Sequence, residues 1–254
     1  MKYISVAVDG PAGAGKSSVS KAVAKSLGYT YIDTGAMYRA VALFAINNGI
    51  DAKNETEKLV SRLNEVEIDI KYTDEGQQIY LLGENVSKRI REEDVSVGAS
   101  NVAVIPEVRK KLVELQRKMA ESANVIMDGR DICSYVLPNA DVKIFLTASA
   151  ESRAKRRYDE LCEKGIECDF EKIKADMEYR DKNDSQRAVA PLKKADDATL
   201  IDTTEYDFDG AVKLVKDLIL ERFSKRRYTL YFQSKSSGQG KCSERRRYDT
   251  CRKP

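Results

Sequence analysis

The chain has 254 residues, of which 42% are hydrophobic and 33% charged, as expected for a globular protein of one or two domains. It contains no histidine, which excludes Ser-His triads, histidine acid–base catalysis and His-ligated metal sites. No apolar run approaches the roughly 18 residues that a membrane span needs, and nothing resembles a signal peptide. Five cysteines without a C-x-x-C pair indicate reduced thiols. We therefore expect a cytoplasmic protein without a membrane partner.

The net charge of +3 is unevenly distributed along the chain. Residues 224–254 contain ten Lys or Arg and two Asp or Glu, whereas residues 1–223 carry a net charge of −5. The mildly acidic body gives no reason to expect nucleic-acid binding. The basic segment is rich in Ser, Gly, Lys and Arg, which predicts a disordered C-terminal extension after a folded domain over residues 1–223.

The first chemical motif lies between a predicted strand at residues 3–8 and a predicted amphipathic helix at residues 17–27. Its sequence matches the G-x-x-x-x-G-K-[ST] pattern of a phosphate-binding loop. Glycines let successive backbone N–H groups point into one concavity, and the helix N-terminus adds positive potential. Lys16 would contact the β- and γ-phosphates of a nucleotide, and Ser17 would bind Mg²⁺. The predicted nucleotide-binding residues are Gly10, Pro11, Ala12, Gly13, Ala14, Gly15, Lys16, Ser17 and Ser18.

Strands and helices alternate along most of the chain, which predicts an α/β fold with a doubly wound parallel sheet of about five strands. The predicted strands cover residues 3–8, 30–32, 125–127, 142–146 and 199–201. The predicted helices cover residues 17–27, 36–47, 56–64, 106–121, 151–164, 170–181 and 208–223. A period-two hairpin at residues 66–72 and 78–82 interrupts this alternation. It predicts an inserted subdomain at about residues 50–105.

A second anion site is predicted at Asp33-Thr34-Gly35-Ala36-Met37-Tyr38-Arg39, where a strand ends and a helix begins. A hydroxyl and an arginine lie beside the helix N-terminus, a combination that suits a phosphate group. Two phosphate sites indicate a donor and an acceptor, and therefore a kinase rather than a hydrolase. The alternative is that Thr34 only caps the helix and that Arg39 is a solvated surface residue.

Asp128-Gly129-Arg130-Asp131 directly follows the apolar strand predicted at residues 125–127. Acidic residues at the carboxyl end of a sheet strand face the ligand crevice of such folds. Asp128 is a candidate Mg²⁺ ligand through water, in the manner of a Walker-B acid. Arg130 is a candidate phosphate ligand.

Arginines recur in the second half of the chain. Arg153, Arg156 and Arg157 share a predicted helix at spacings of three and four, which indicates a mobile lid at about residues 150–165. Residues 180–192 are dense in charge before they turn apolar, which is typical of a site loop. Each arginine alone is also compatible with a solvated helix face.

Together, four motifs resemble those of bacterial cytidylate (CMP) kinases, in an order and spacing that agree over residues 1–223. They are the phosphate loop through Ser18, residues 33–39, residues 128–131, and Arg187-Ala188-Val189-Ala190-Pro191-Leu192. The resemblance implies a P-loop fold with an inserted monophosphate-binding subdomain and a helical lid. It also implies transfer of the γ-phosphate of ATP to CMP or dCMP, with Mg²⁺, to give CDP or dCDP.

The resemblance implies roles for individual residues. Lys16, Arg130, Arg156 and Arg157 would be catalytic, the last two as lid residues near the transferring phosphoryl group. The acceptor would be held at its phosphate by Thr34, Arg39 and Arg130, at its base by Ser100, Arg109, Asp131 and Arg187, and at its ribose by Arg180 and Asp184.

The chemistry of cytosine supports the assignment of the base. A carboxylate such as Asp131 accepts a hydrogen bond from the N4 amino group, whereas Arg109 and Arg187 suit the N3 and O2 acceptors. Uracil would leave Asp131 facing a carbonyl. Two alternatives stay open: a kinase for UMP, AMP or another small acceptor, and a nucleotide-binding regulator whose basic tail binds nucleic acid. We otherwise expect a monomer whose partners are small nucleotides.

Overall fold

The computed structural model of the protein describes residues 3–73, 76–163, 165–187 and 189–236, with side chains described up to residue 224. The strands are β1 Ser5–Asp9, β2 Thr30–Asp33, β3 Ile68–Thr73, β4 Gly76–Leu81, β5 Glu84–Asn85, β6 Val125–Gly129, β7 Val142–Thr147 and β8 Thr199–Asp202. The helices are α1 Lys16–Leu27, α2 Thr34–Asn47, α3 Thr56–Ser61, α4 Glu93–Val102, α5 Pro106–Ala120, α6 Ala150–Glu163, α7 Phe170–Gln186 and α8 Phe208–Ser236.

Five parallel strands form the central sheet, in the order β2-β6-β1-β7-β8, which confirms the predicted α/β architecture. Ala7 and Met127 are fully buried partners across β1 and β6. The central strands β1 and β6 are buried in this way and are continuous apolar runs in the sequence, which makes them easy to locate. Each strand extends one or two residues beyond its predicted end, because ladder hydrogen bonds do not require an apolar side chain. Asp9 and Asp33 therefore belong to the strand ends.

Local backbone chemistry sets the ends of the helices that follow the first two strands. Gly15 has φ of 80° immediately before α1, and Gly28 has φ of 68° after it and donates its N–H to Ala24. Glycine adopts this left-handed backbone conformation more readily than other residues do. The side chain of Asp33 caps α2 by accepting from the N–H of Ala36 at 2.9 Å. Because of this cap, α2 begins two residues before the start predicted from the sequence.

The predicted hairpin forms a small antiparallel sheet in the order β3-β4-β5. Two elements around it differ from prediction: residues 56–64 form the short helix α3 and a 3₁₀ turn, and α4 was not predicted at all. The sequence of α4 places Val95, Ala99 and Val102 on one face, but its valines and Gly98 give it low helix propensity. A Cβ at Gly98 would lie 3.2 Å from the Cβ of Ala42. Close packing on α2 thus stabilises a helix that its own residues do not specify.

The C-terminal helix α8 continues to Ser236, although the sequence predicted its end at residue 223. No glycine or proline occurs between Gly210 and Gly238, so the basic segment has no strong helix breaker there. Residues 237–254, also predicted to be disordered, lie outside the described residues. The chain divides into two compact units within this helix, Met1–Val215 and Lys216–Pro254. Among the described residues, no helix is long and apolar enough to cross a membrane.

Candidate active site

A cleft of about 870 Å³ lies at the carboxyl edge of the central sheet, where parallel α/β folds bind ligands. Most of the residues predicted to form the site line this cleft: Gly13, Ala14, Gly15, Lys16, Ser17, Ser18, Thr34, Arg39, Ser100, Asp128, Arg130, Asp131, Arg156, Arg157, Arg180, Asp184 and Arg187. Four others do not line it: Gly10, Pro11, Ala12 and Arg109. Residues that are remote in the sequence therefore meet at one surface.

The phosphate loop turns back on itself at glycines. Gly13 and Gly15 have φ of 72° and 80°, which L side chains rarely adopt. Gly10 lies against the sheet instead, because a Cβ there would come within 1.9 Å of the carbonyl oxygen of Leu146. The loop can therefore approach both the sheet and a phosphate with its backbone alone.

The amine of Lys16 is buried at the base of this loop. Its Nζ donates to the carbonyl of Pro11 at 2.8 Å, and the residue is 5% exposed. Burial, with the nearby positive charge of Arg130, lowers the pKa of Lys16 to about 7. A phosphate anion beside the amine would favour its charged form.

Ser17 and Asp128 lie side by side, as a shared metal site requires. The Oγ of Ser17 donates to Oδ2 of Asp128 at 2.8 Å, and the hydroxyl of Tyr31 donates to Oδ1 at 2.9 Å. Burial, with repulsion from Asp33, raises the pKa of Asp128 to about 6. Among the described residues, no cluster of three or more Cys, Asp or Glu could form a complete metal cage. One hydroxyl and one carboxylate nevertheless fit Mg²⁺, which usually keeps several waters and binds substrate phosphates.

The second anion site predicted from the sequence falls at the N-terminus of α2. The cap of this helix is Asp33 rather than Thr34. Thr34 is buried, and its hydroxyl donates to the carbonyl of Asp128 at 2.7 Å, which ties α2 to β6. Arg39 pairs with Asp33 at 3.3 Å and lines the cleft. The arrangement leaves the guanidinium partly accessible, as a phosphate ligand needs to be.

Asp131 is held between two buried arginines. It forms an ion pair with Arg109, and its Oδ1 lies 3.8 Å from Nη2 of Arg187. Burial raises the pKa of Asp131 and lowers the pKa of Arg187. Within the described residues, Nε and Nη2 of Arg187 are buried without a hydrogen-bond acceptor. Such unsatisfied donors beside a cleft indicate a polar ligand.

Arg109 lies behind Asp131 rather than on the cleft wall. It is 1% exposed, and its guanidinium lies 5.9 and 5.8 Å from the ring centres of Tyr38 and Tyr135. Flanking aromatic rings hold a guanidinium by cation–π attraction. The structure therefore places Arg109 where it orients Asp131.

The remaining predicted arginines occupy different environments. Arg130 donates to Asp184 at 2.8 Å. Arg156, which lies next to the phosphate loop, donates hydrogen bonds to the hydroxyl of Thr203 and to the carbonyl of Tyr206. Arg157 pairs with Glu160 at 2.8 Å and is nearly half exposed. Arg180 is half-buried on the cleft wall, and Ser100 is an exposed part of it.

Comparison with known proteins identifies the family. A model of the family described as Cytidylate kinase matches residues 6–221. The chain belongs to the cytidylate kinase family. Relatives named cytidylate kinase from Caldicellulosiruptor saccharolyticus and Anoxybacillus flavithermus are 50% and 49% identical to it, over 86% and 87% of this chain and 96% and 98% of theirs. One from Streptococcus pyogenes is 48% identical, over 85% of this chain and 96% of its own. The resemblance inferred from the motifs is confirmed.

One buried residue of this cytidylate kinase family member is not among the site residues predicted from the sequence. Asp9 is fully buried, and its carboxylate accepts from the N–H groups of Ile132 and Cys133, each at 2.8 Å. It thereby fixes the backbone directly after Asp131. The sequence does contain a signal for this role, since Asp9 is an acidic residue at the end of an apolar strand.

Two further residues, Arg153 and Asp181, bind the backbone of Ala12 in the phosphate loop. The sequence predicted Arg153 as part of the lid and Asp181 as part of the charged segment 180–192, without a contact to the phosphate loop for either. No local pattern marks such contacts, because they join segments about 140 to 170 residues apart.

Proposed function

We propose that this chain transfers the γ-phosphate of ATP to CMP or dCMP, giving CDP or dCDP. Membership of the cytidylate kinase family supports this reaction. The observation that carries the proposal is one cleft that combines the phosphate loop with the buried Asp131–Arg187 group. The loop suits the triphosphate of ATP. The Asp131–Arg187 group suits a base that has hydrogen-bond donor and acceptor atoms next to each other.

ATP would bind with its phosphates in the loop. The backbone N–H groups and the N-terminus of α1 supply partial positive charge, and Lys16 supplies a full charge. Ser17 and Asp128 would hold Mg²⁺, which when bound neutralises charge on the β- and γ-phosphates. Asp128 is oriented for this by the hydroxyl of Tyr31.

The acceptor would occupy the other end of the cleft. Asp131 would accept from N4 of cytosine, while Arg187 has unsatisfied donors for N3 or O2. Arg109 acts in this scheme by holding Asp131, and Ser100 closes the base pocket. We assign the acceptor phosphate to Thr34, Arg39 and Arg130, and the ribose to Arg180 and Asp184.

The transfer needs no general base. The attacking phosphate oxygen of CMP is already anionic near neutral pH, so catalysis consists of alignment and stabilisation of charge. Arg130, Arg156 and Arg157 all line the cleft and would stabilise the transferring group. Excluding water from such a site prevents hydrolysis of ATP. We assign this exclusion to closure of the insert at about residues 50–105 and of the lid at about residues 150–165.

An acceptor panel tests the proposal. ADP release from ATP and Mg²⁺ is measured with CMP, dCMP, UMP, AMP and no acceptor. We expect the highest kcat/KM with CMP or dCMP. Preference for UMP or AMP would replace the cytosine assignment and support a kinase for another acceptor. Acceptor-independent or negligible turnover would instead favour the regulator, whose salt-sensitive nucleic-acid binding should vanish when residues 224–254 are removed.

We expect ATP binding to take up a proton near pH 8. The lowered pKa of Lys16, about 7, leaves the amine mostly neutral there, and bound phosphates raise this pKa again. Asp128, with a pKa of about 6, is already ionised near pH 8 and contributes little. Calorimetry in two buffers of different ionisation enthalpy should show uptake of close to one proton. Equal heats in both buffers would contradict a neutral Lys16.

The cytoplasmic location and monomeric state expected from the sequence remain proposals. Gel filtration with light scattering tests the second: a mass near 28.5 kDa supports a monomer.

A further inference from the structure

An ion pair from two helices binds both polar backbone groups of Ala12. Oδ1 of Asp181, on α7, accepts from the N–H of Ala12 at 3.0 Å. Nη1 of Arg153, on α6, donates to the carbonyl of Ala12 at 2.7 Å. The same Nη1 lies 2.7 Å from Oδ2 of Asp181. We call Arg153 and Asp181 the Ala12 clamp.

The clamp differs from an ordinary surface ion pair. The side chain of Arg153 is 7% exposed, and its Nε donates to the carbonyl of Ala148 at 3.0 Å, just beyond β7. Its guanidinium therefore connects three fixed oxygen partners. Bonds of this kind are stronger and more directional than those of solvated pairs.

The phosphate loop needs such external support. Its residues between Asp9 and Lys16 are glycine, alanine and proline, which offer few side-chain atoms for packing. The positive φ angles of Gly13 and Gly15 are accessible to a flexible chain but not enforced by it. The helices α6 and α7 pack directly on the loop, since a Cβ at Gly13 would lie 3.3 Å from the Cβ of Arg153 on α6 and 2.8 Å from the Cε of Met177 on α7.

The clamp residues also neighbour the cleft arginines along their own helices. Arg156 lies one turn after Arg153 on α6, while Arg180 and Asp184 flank Asp181 on α7. All three neighbours line the cleft. Any displacement of the loop relative to the clamp would therefore change the distance between the phosphate loop and the groups that face it.

We propose that Arg153 and Asp181 are positioning residues for phosphoryl transfer. They act through the backbone of Ala12, holding the loop in its phosphate-binding form and in register with the arginines of α6 and α7. This inference rests on the proposed kinase activity. It predicts defects in ATP binding and turnover that leave CMP binding unchanged.

Asp181→Ala gives the sharpest test, because two explanations predict opposite changes in the KM for ATP. A carboxylate near a triphosphate repels it, so electrostatics alone predicts tighter ATP binding when it is removed. Loss of the clamp predicts that the KM for ATP rises about tenfold and that kcat falls, since a bond to a charged group is lost. We expect the KM for CMP to change less than about twofold. Asp181→Asn keeps an acceptor for Ala12 and should recover part of the loss.

Arg153→Lys provides a second variant with the charge retained. A single ammonium cannot reproduce the planar set of bonds to Ala148, Ala12 and Asp181, so the same ATP-specific defect is expected. Asp176→Ala is the matched control, an exposed aspartate on the same helix α7. An unchanged or lower KM for ATP in Asp181→Ala, or equal losses for ATP and CMP, would overturn the inference. Absence of CMP kinase activity in the control and the unaltered protein would overturn the proposed function instead.

Discussion

Replacing Lys16 by alanine should lower kcat by about three orders of magnitude while the fold survives. Lys16 supplies the full positive charge at the base of the phosphate loop, and it is buried where solvent cannot replace it. Removing one preorganised charge or donor from such a site typically costs a factor of about 10² to 10³. The loss should appear with every acceptor, because the donor phosphates are common to all reactions.

The fold should tolerate this change. Burial disfavours the charged form of Lys16, and the variant gives up one bond to the carbonyl of Pro11, worth about 1 kcal/mol. Thermal unfolding followed by circular dichroism checks this, alongside a coupled assay for ADP. Lys25→Ala is the matched control, since it removes an exposed lysine in the last turn of the same helix. Turnover within tenfold of the unaltered protein would contradict the role of Lys16.

Replacing Asp131 by asparagine should reverse part of the selectivity for cytosine. An asparagine amide can donate to O4 of uracil, whereas the carboxylate can only accept. We expect kcat/KM for CMP to fall about a hundredfold, because a buried polar group loses its partner. The ratio of kcat/KM for CMP to that for UMP should fall further than kcat/KM for CMP alone. The KM for ATP should change little.

Both variants remove the charge that pairs with Arg109, but the asparagine is preferred because its amide oxygen can still accept a hydrogen bond from that buried guanidinium, which Asp131→Ala cannot replace. Breaking a buried pair typically costs about 3 to 5 kcal/mol of stability. The alanine variant should therefore lower the unfolding temperature as well as the use of CMP. Asp197→Asn is the control, since it alters an exposed aspartate paired with Lys143 at 2.6 Å. Equal losses for CMP and ATP, or an unchanged CMP to UMP ratio, would remove Asp131 from the base pocket.

Lys16 and Asp131 differ in how much of their surroundings the sequence alone predicts. The position of Lys16 follows from a local motif, in which strand, glycine loop and helix are consecutive and each has its own residue signature. The environment of Asp131 does not. Its partners Arg109 and Arg187 lie on separate segments, and the structure alone shows that Arg109 is behind it while Arg187 keeps unsatisfied donors.

Local sequence was least informative where packing replaces propensity. The helix α4 contains Gly98 and three valines, which lower its helix propensity, and it forms because it packs closely on α2. The continuation of α8 to Ser236 was missed for the opposite reason. Its basic composition resembled a disordered tail, although nothing in it breaks a helix.

The sequence by itself determined the five-stranded α/β sheet, the phosphate loop and the family, because each strand and each motif is a local pattern of residues that can be recognised one at a time. Only the tertiary structure decided how distant residues share one site. It placed Asp128 against Ser17, buried Asp9 under the segment after Asp131, and joined Arg153 and Asp181 to Ala12. Parallel strands bring their carboxyl ends to one edge, and the contacts formed there leave no periodic signal in the sequence.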